Sequence, residues 1–469
     1  MSSKRSQSTN YFYYLALLII FGVGLWLIIA AGSKLNKSGS VGSASLSTQS
    51  AQPTAKSSDK SPVSVLLLQV ILIIVVAKLF GAIFRRIHQP PVMGEMVAGI
   101  ALGPSLLGWL WPQASAFLFP ATSMTTLGVF SQIGVVLFMF VVGVELDLQH
   151  LKEKASSAIM VSHASIVVPF LLGAALSLSL YTSLAPDQTS FTAFALFMGI
   201  AMSITAFPVL ARILKDRGLT QSPLGTTALA CASIDDVTAW CILAVVIAIV
   251  KSTGYSQALL TIGLTFLFIA VMLLFIKPRV ESLIEKRILS STRSQLTLSG
   301  IVAFALACAW FTETIGIHAL FGGFLAGVVM PSTTGVQTFL KERIEGFSAA
   351  ALLPLFFVFT GLRTQITLLN DLSSWLTCLS IIIVAVFGKL VGSMLMARWT
   401  RMSWHDSFAI GVLMNTRGLI ELVVLNIGYD LGILSGRIFA MMVIMALATT
   451  FMTAPLLSIV KVGRVSDRL

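Results

Sequence analysis

Residues 230–240 read Ala230-Cys231-Ala232-Ser233-Ile234-Asp235-Asp236-Val237-Thr238-Ala239-Trp240, and the two carboxylates stand mid-way along an apolar run covering 223–250. An ionisable side chain at membrane depth is costly and marks a function by default. Adjacent helical residues point about 100° apart. One carboxylate can therefore pair with a neighbouring helix while the other faces a cavity. Two nearby carboxylates also repel when both are ionised, so one can hold a proton while the other stays charged.

The rest of the chain puts this run in lipid. Of 469 residues, 56% are hydrophobic and 11% charged, with mean hydropathy +0.93. An average soluble chain carries about 25% charge. Disordered, disulfide-scaffold and DNA-binding classes are excluded. The net charge of +12 suggests nucleic acid, but Lys and Arg fall between apolar runs and do not form a groove, so no nucleic-acid partner is expected. Cys231, Cys241, Cys308 and Cys378 lie in apolar runs without a CxxC pair, and no metal or disulfide framework is expected.

A polar start with Lys4 and Arg5 precedes an apolar stretch, so 1–32 is read as a membrane anchor or a signal peptide. Residues 33–62 read as a flexible external Ser-rich linker. Residues 63–462 form the transmembrane domain and 463–469 a short cytoplasmic tail. Thirteen spans near the length needed to cross hydrocarbon are expected at 63–84, 93–111, 126–143, 156–182, 190–214, 223–250, 257–276, 295–312, 316–331, 350–370, 374–397, 406–428 and 436–460. Alternate loops hold nineteen Lys or Arg against three (Lys251, Arg363 and Arg437). The positive-inside rule puts the rich set, and the C-terminus, in the cytoplasm. The four linker lysines mildly violate the rule.

Other ionisable groups stand out. Lys389 is deep in 374–397 and needs a carboxylate partner, Asp235 or Asp236. Arg417 and Glu421, at i,i+4 spacing, share a helix face and read as a local ion pair. Asn415, Thr416 and Gly418 beside them suggest a broken helix. Pro208 removes a backbone donor in 190–214, which could free carbonyls near Ser203 and Thr205 for an ion. Glu95 is expected to cap a helix N-terminus, and Lys78 to snorkel. His163 and His318 read as satisfied core histidines. Glu145 and Asp147 are expected to orient a cytoplasmic loop. A broken span beside spans with central charges recurs in each half. Six spans in 93–276 and six in 295–460 are read as repeats starting on opposite sides, the arrangement in which interrupted helices build a midplane ion site.

Four motifs carry a family resemblance. They are Pro-Pro-Val-Met-Gly-Glu-Met-Val-Ala-Gly-Ile-Ala-Leu-Gly-Pro-Ser (90–105), Leu-Phe-Met-Phe-Val-Val-Gly-Val-Glu-Leu-Asp (137–147), Gly-Ile-His-Ala-Leu-Phe-Gly-Gly-Phe-Leu-Ala-Gly (316–327) and Asn-Thr-Arg-Gly-Leu-Ile-Glu-Leu (415–422). Over about 63–460 the chain resembles the monovalent cation:proton antiporter-2 family. The resemblance implies an all-α polytopic homodimer with inverted repeats, two discontinuous crossing helices, a dimerisation panel and a mobile core. The core would comprise 156–182, 190–214, 223–250, 374–397, 406–428 and 436–460. Asp236 would be the main cation and proton carboxylate, Asp235 would pair with Lys389, and Thr205 would sit at the helix crossover. The Asp-Asp pair is similar to that of sodium-exchanging members; potassium branches often show Asn-Asp or Gln-Asp. Many potassium-efflux relatives also carry a cytosolic nucleotide-binding domain, which is not expected here. The N-terminal segment and linker depart from the family pattern.

The resulting expectation is a sodium/proton antiporter, or a potassium/proton antiporter or potassium efflux transporter of the same family, in a bacterial inner membrane. Its ion- and proton-binding residues would be Asp236, Asp235, Thr205 and Ser203. Lys389, Arg417 and Glu421 would serve coupling, Lys389 either releasing Asp235 or simply holding it. The cation itself, held by Asp236 and Asp235, is the ligand, and no cofactor is expected. An intramembrane aspartyl protease fits less well, because Tyr429-Asp430 is expected at an external loop and no Gly-x-Gly-Asp occurs. A prenyltransferase lacks a further carboxylate in Val237–Trp240. A passive cation channel would show flux without proton coupling.

Overall fold

A computed structural model describes residues 2–35, 62–145, 155–252, 254–288, 294–331 and 333–460. Most of the linker, Asp147, and the tail from residue 461 lie outside these. The described residues are helical or irregular, with no strand among them. The principal helices are α1 (Ser2–Gly32), α2 (Pro62–Arg86), α3 (Pro91–Leu102), α4 (Ala121–Glu145), α5 (Ala155–Leu184), α6 (Phe191–Ser203), α7 (Phe207–Asp216) and α8 (Pro223–Lys251). They continue with α9 (Tyr255–Val271), α10 (Ser294–Thr314), α11 (Ala319–Val328), α12 (Leu353–Arg363), α13 (Leu372–Trp399), α14 (Trp404–Met414), α15 (Leu419–Asp430) and α16 (Gly436–Ile459).

Local chemistry sets where these helices begin. The Ser190, Ser222, Asp371, Ser403 and Ser435 side chains accept from backbone amides in the first turns of α6, α8, α13, α14 and α16, as N-cap residues do. Pro91 and Pro223 fill first-turn positions where no donor is needed.

Each of the thirteen expected spans has a helical counterpart, and α1 adds one more. Twelve described helices are long and apolar enough to cross a membrane, and the bent pair α14–α15 makes thirteen. The segment expected at 316–331 differs, since α11 has only ten residues, about 15 Å of rise. The two broken spans are the fifth and twelfth after the linker. With the short α11 segment counted as a crossing they are seven apart, so they run in opposite senses. The inverted units are therefore 63–250 and 295–460, with 257–276 between them. The units 93–276 and 295–460 both begin on the basic side, and that boundary is corrected.

The helices pack in two groups. α5 packs on α6, α8 and α13, and α13 packs on α14 and α16. In the other group α3 packs on α2 and α12, α4 on α11 and α12, and α10 on α11. Between helices in lipid, small residues permit close backbone approach. A Cβ added at Gly99 would lie 2.4 Å from the Val358 carbonyl, and one at Gly327 2.0 Å from that of Phe140. The motif glycines at 99, 143 and 327 thus hold this second, panel group together. α1 lies along α5, with Phe21 edge-on to Phe170 (ring centroids 5.3 Å apart) and Tyr14 edge-on to His163 (5.4 Å).

Candidate ion site at the helix crossing

Both broken spans unwind where they meet. α6 ends at Ser203, Ile204–Ala206 are non-helical, and α7 restarts with Pro208 in its first turn. Asn415–Gly418 separate α14 from α15, which bends by 42°. The two breaks bond to each other. The Ala206 amide donates to the Thr416 carbonyl (3.0 Å), and the Thr205 hydroxyl donates to the Met414 carbonyl (3.0 Å). Irregular backbone at membrane depth persists only where such partners or a cavity satisfy it.

Asp235 and Asp236 stand half-way along α8 and have different environments. Asp235 accepts from Lys389 Nζ on α13 (2.9 Å), and from the Ser165 (3.0 Å) and Ser162 (3.3 Å) hydroxyls on α5. Asp235 and Lys389 side chains are fully buried. Lys389 also donates to the Ser165 carbonyl and hydroxyl (both 3.0 Å) and to the Ser203 carbonyl at the end of α6. One ammonium thereby ties α5, α6, α8 and α13 together.

Asp236 is 2% exposed. Its Oδ1 has no hydrogen-bond partner, and the Phe207 backbone amide at the start of α7 faces its carboxylate. A helix N-terminus favours an anion there. A buried oxygen without a donor is expensive unless a proton or a cation joins it. Asn415, 1% exposed in the second break, likewise has both side-chain polar atoms unpartnered.

Arg417 closes the other side of the crossing. Its guanidinium donates to the Ala201 (3.0 Å) and Met202 (2.8 Å) carbonyls and to Glu421 (3.3 Å), with Arg417 and Glu421 fully buried as side chains. Thr450 accepts from the Arg417 amide (3.1 Å) and donates to the Arg417 carbonyl (2.8 Å). The last carbonyls of α6 are thus bonded to two cationic side chains, Arg417 and Lys389. They are not free in the sense expected from Pro208. The Ser203 hydroxyl donates to the Gly199 carbonyl (2.6 Å) and keeps its lone pairs.

The remaining expected residues lie elsewhere. Glu95 makes no N-cap bond. Pro91 already removes one orphan amide there, and Lys78 pairs with Glu95 at 3.1 Å. Lys78 also donates to the Ala349 carbonyl, so it is paired as well as partly exposed. His163 Nδ1 is 2.8 Å from the Ile159 carbonyl, and His318 caps α11. Glu145 pairs with Lys341. A cavity of about 620 Å³ is lined by Val141, Val144 and Glu145 of α4, Phe207 and Ala211 of α7, Leu229 of α8, and residues of 337–342 including Lys341 and Glu342. Ser162, Ser165 and Thr450 carried no sequence signal, because a hydroxyl in an apolar run is ordinary until its neighbours are known.

These features define a polytopic membrane protein in which two interrupted helices cross beside buried charges. The family model for the transmembrane region of sodium/hydrogen exchangers matches residues 71–459; the chain belongs to that family. It is 43% identical over 399 residues to Na(+)/H(+) antiporter NhaS4 of Synechocystis sp., covering 85% of this chain and 97% of that protein. Cation/H(+) antiporter 17 of Arabidopsis thaliana is 38% identical over 407 residues, and K(+)/H(+) antiporter 1 of Saccharomyces cerevisiae 33% over 410. Both alignments cover 85% of this chain, which spans about half the length of these two relatives (49% and 47%). The structure of the sodium proton antiporter MjNhaP1 from Methanocaldococcus jannaschii superposes with a TM-score of 0.63 at 15% identity, covering 87% of this chain and 100% of that one, which shows the fold alone.

Proposed function

We propose that this protein exchanges a monovalent cation for protons by alternating access, with Asp236 as the carboxylate that takes either in turn. The observation that carries the reading is the unpartnered, buried Asp236 oxygen at the helix crossing, beside an Asp235 already neutralised by Lys389. A proton and a dehydrated cation compete for one carboxylate, and that competition couples their fluxes. Thr205 and Ser203 hydroxyl oxygens are further candidate ligands. Lys389 acts by holding Asp235 and the end of α6; its four partners support holding over release. Arg417 and Glu421 brace the crossing.

Na⁺ is the first candidate, supported by the Asp-Asp pair and by the Synechocystis relative. K⁺ is the second, supported by the yeast relative named as a K(+)/H(+) antiporter. The basic loops and C-terminus are assigned to the cytoplasm of a bacterial inner membrane. α1 is taken as a retained membrane helix, which its packing on α5 supports, and the panel as the surface joining a homodimer. Transport of this kind needs no cofactor and no covalent chemistry.

The test is exchange in proteoliposomes with an internal pH dye, pulsed with Na⁺, Li⁺ and K⁺. Cation-driven proton movement by the wild type, lost in a folded Asp236→Asn protein, is expected. Normal exchange by that variant would overturn the site, and cation flux without proton movement would indicate a channel.

A further inference from the structure

Leu229, Asp236 and Trp240 occupy positions i, i+7 and i+11 of α8, which puts them within about 40° of one another on one stripe. The stripe is ordered along the helix axis. Leu229 lines the 620 Å³ cavity on the side of the basic loops. Asp236 follows about 10 Å further on, and Trp240 about 6 Å beyond it. Phe207 joins the first two levels, since it lines the cavity and its amide faces Asp236.

At the third level the stripe meets the panel. The Trp240 ring stacks on Phe324 of α11, with centroids 6.2 Å apart and planes 23° from parallel. The two residues are 2% and 4% exposed. α11 is held against α4 at close range, because a Cβ at Gly323 would lie 2.8 Å from the Val136 carbonyl and one at Gly327 2.0 Å from that of Phe140. Phe324 is thereby fixed to the panel, while Trp240 belongs to the helix that carries the carboxylates. Trp240 Nε1 has no hydrogen-bond partner, so separating the rings breaks no polar bond at this point.

We propose that Trp240 and Phe324 form the closed gate on the far side of Asp236, with the cavity on the basic-loop side as the nearer approach to the site. Separation of this stack opens the opposite route. The proposal rests on the reading of Asp236 as the transported-ion carboxylate, and it assigns two residues that hold no ion to the transport cycle.

The experiment introduces Asp236→Cys after Cys231, Cys241, Cys308 and Cys378 are replaced by Ala. A membrane-impermeant methanethiosulfonate reagent is applied to intact cells from the side opposite the basic loops. With Trp240 intact, modification is slow. Trp240→Ala is expected to speed it about 2- to 10-fold, the range of equilibrium factors that one stacked aromatic pair carries. Trp240→Phe preserves a stack and the slow rate. Phe324→Leu removes the ring from the opposite wall and serves the same test if Trp240→Ala fails to insert. Unchanged rates in both Trp240→Ala and Phe324→Leu would overturn the gate. Exchange is measured in parallel on the wild-type chain. If it is present while the rates do not change, only the gate falls; if it is absent, the antiport reading falls and the access rates still decide whether the stack closes this route.

Discussion

Removing Lys389 tests whether the buried pair is a brace or the binding site. Lys389→Met leaves Asp235 with two serine donors, and it removes the donor from the Ser165 and Ser203 carbonyls. Breaking a fully buried ion pair by deleting one partner costs about 3–5 kcal/mol, because the remaining charge stays uncompensated. In Asp235→Asn/Lys389→Met both charges are gone, and the side-chain amide that replaces the carboxylate still accepts from the Ser162 and Ser165 hydroxyls. The residual cost is then the unpaired carbonyls, about 1–3 kcal/mol each. Those carbonyls are unpaired in both variants and cancel, so the double variant is expected to regain about 3 kcal/mol or more over the single one, a factor of about 150. The assay is the decay of the monodisperse peak in detergent at a fixed temperature, where the native-state penalty appears as a faster rate of loss. Wild type should outlast the double variant, and the double variant should outlast Lys389→Met. Folded Lys389→Met should still show cation-driven proton movement. A double variant that decays as fast as the single one, or a single one as durable as wild type, would refute the reasoning.

Two further outcomes follow from the packing and the caps. Gly327→Ala places a Cβ 2.0 Å from the Phe140 carbonyl and 2.8 Å from the Val144 amide. Both are backbone atoms, so the panel must shift at a cost of about 1–3 kcal/mol; the thermal half-life should shorten, and an unchanged half-life would count against the close packing. At the start of α13, Asp371 accepts from the Ser374 hydroxyl (2.5 Å) and amide (3.2 Å), and the Ser374 hydroxyl bond holds its carboxyl below the usual value. A lowered folded pKa means the cap stabilises fully above the unfolded value of about 3.9 and is lost as pH falls through the lower folded value. Asp371→Asn should abolish that part of the acid dependence, measured as midpoint temperature against pH between 5 and 3 (roughly the range bracketing that value).

The sequence alone determined that this chain lives in lipid, where its spans lie apart from the short 316–331 segment, that two of them break, and that Asp235, Asp236, Lys389, Arg417 and Glu421 lie deep within them. Those are local properties. A long apolar run reports its own solvent, Pro208 and Gly418 interrupt helices by their own backbone chemistry, and a charge in such a run is conspicuous wherever its partner lies. The tertiary structure decided the pairings. From residues alone Lys389 could pair with either aspartate; the rotation of α8 against α13 chooses Asp235 and leaves Asp236 beside Phe207. Glu95 looked like a cap until α2 brought Lys78 within 3.1 Å. The carbonyls beside the Pro208 break are bonded to Arg417 and Lys389, more than 180 residues away in sequence. Ser162, Ser165 and the Trp240–Phe324 stack were silent in the sequence. Their roles come only from what distant helices place opposite them, which no local pattern encodes.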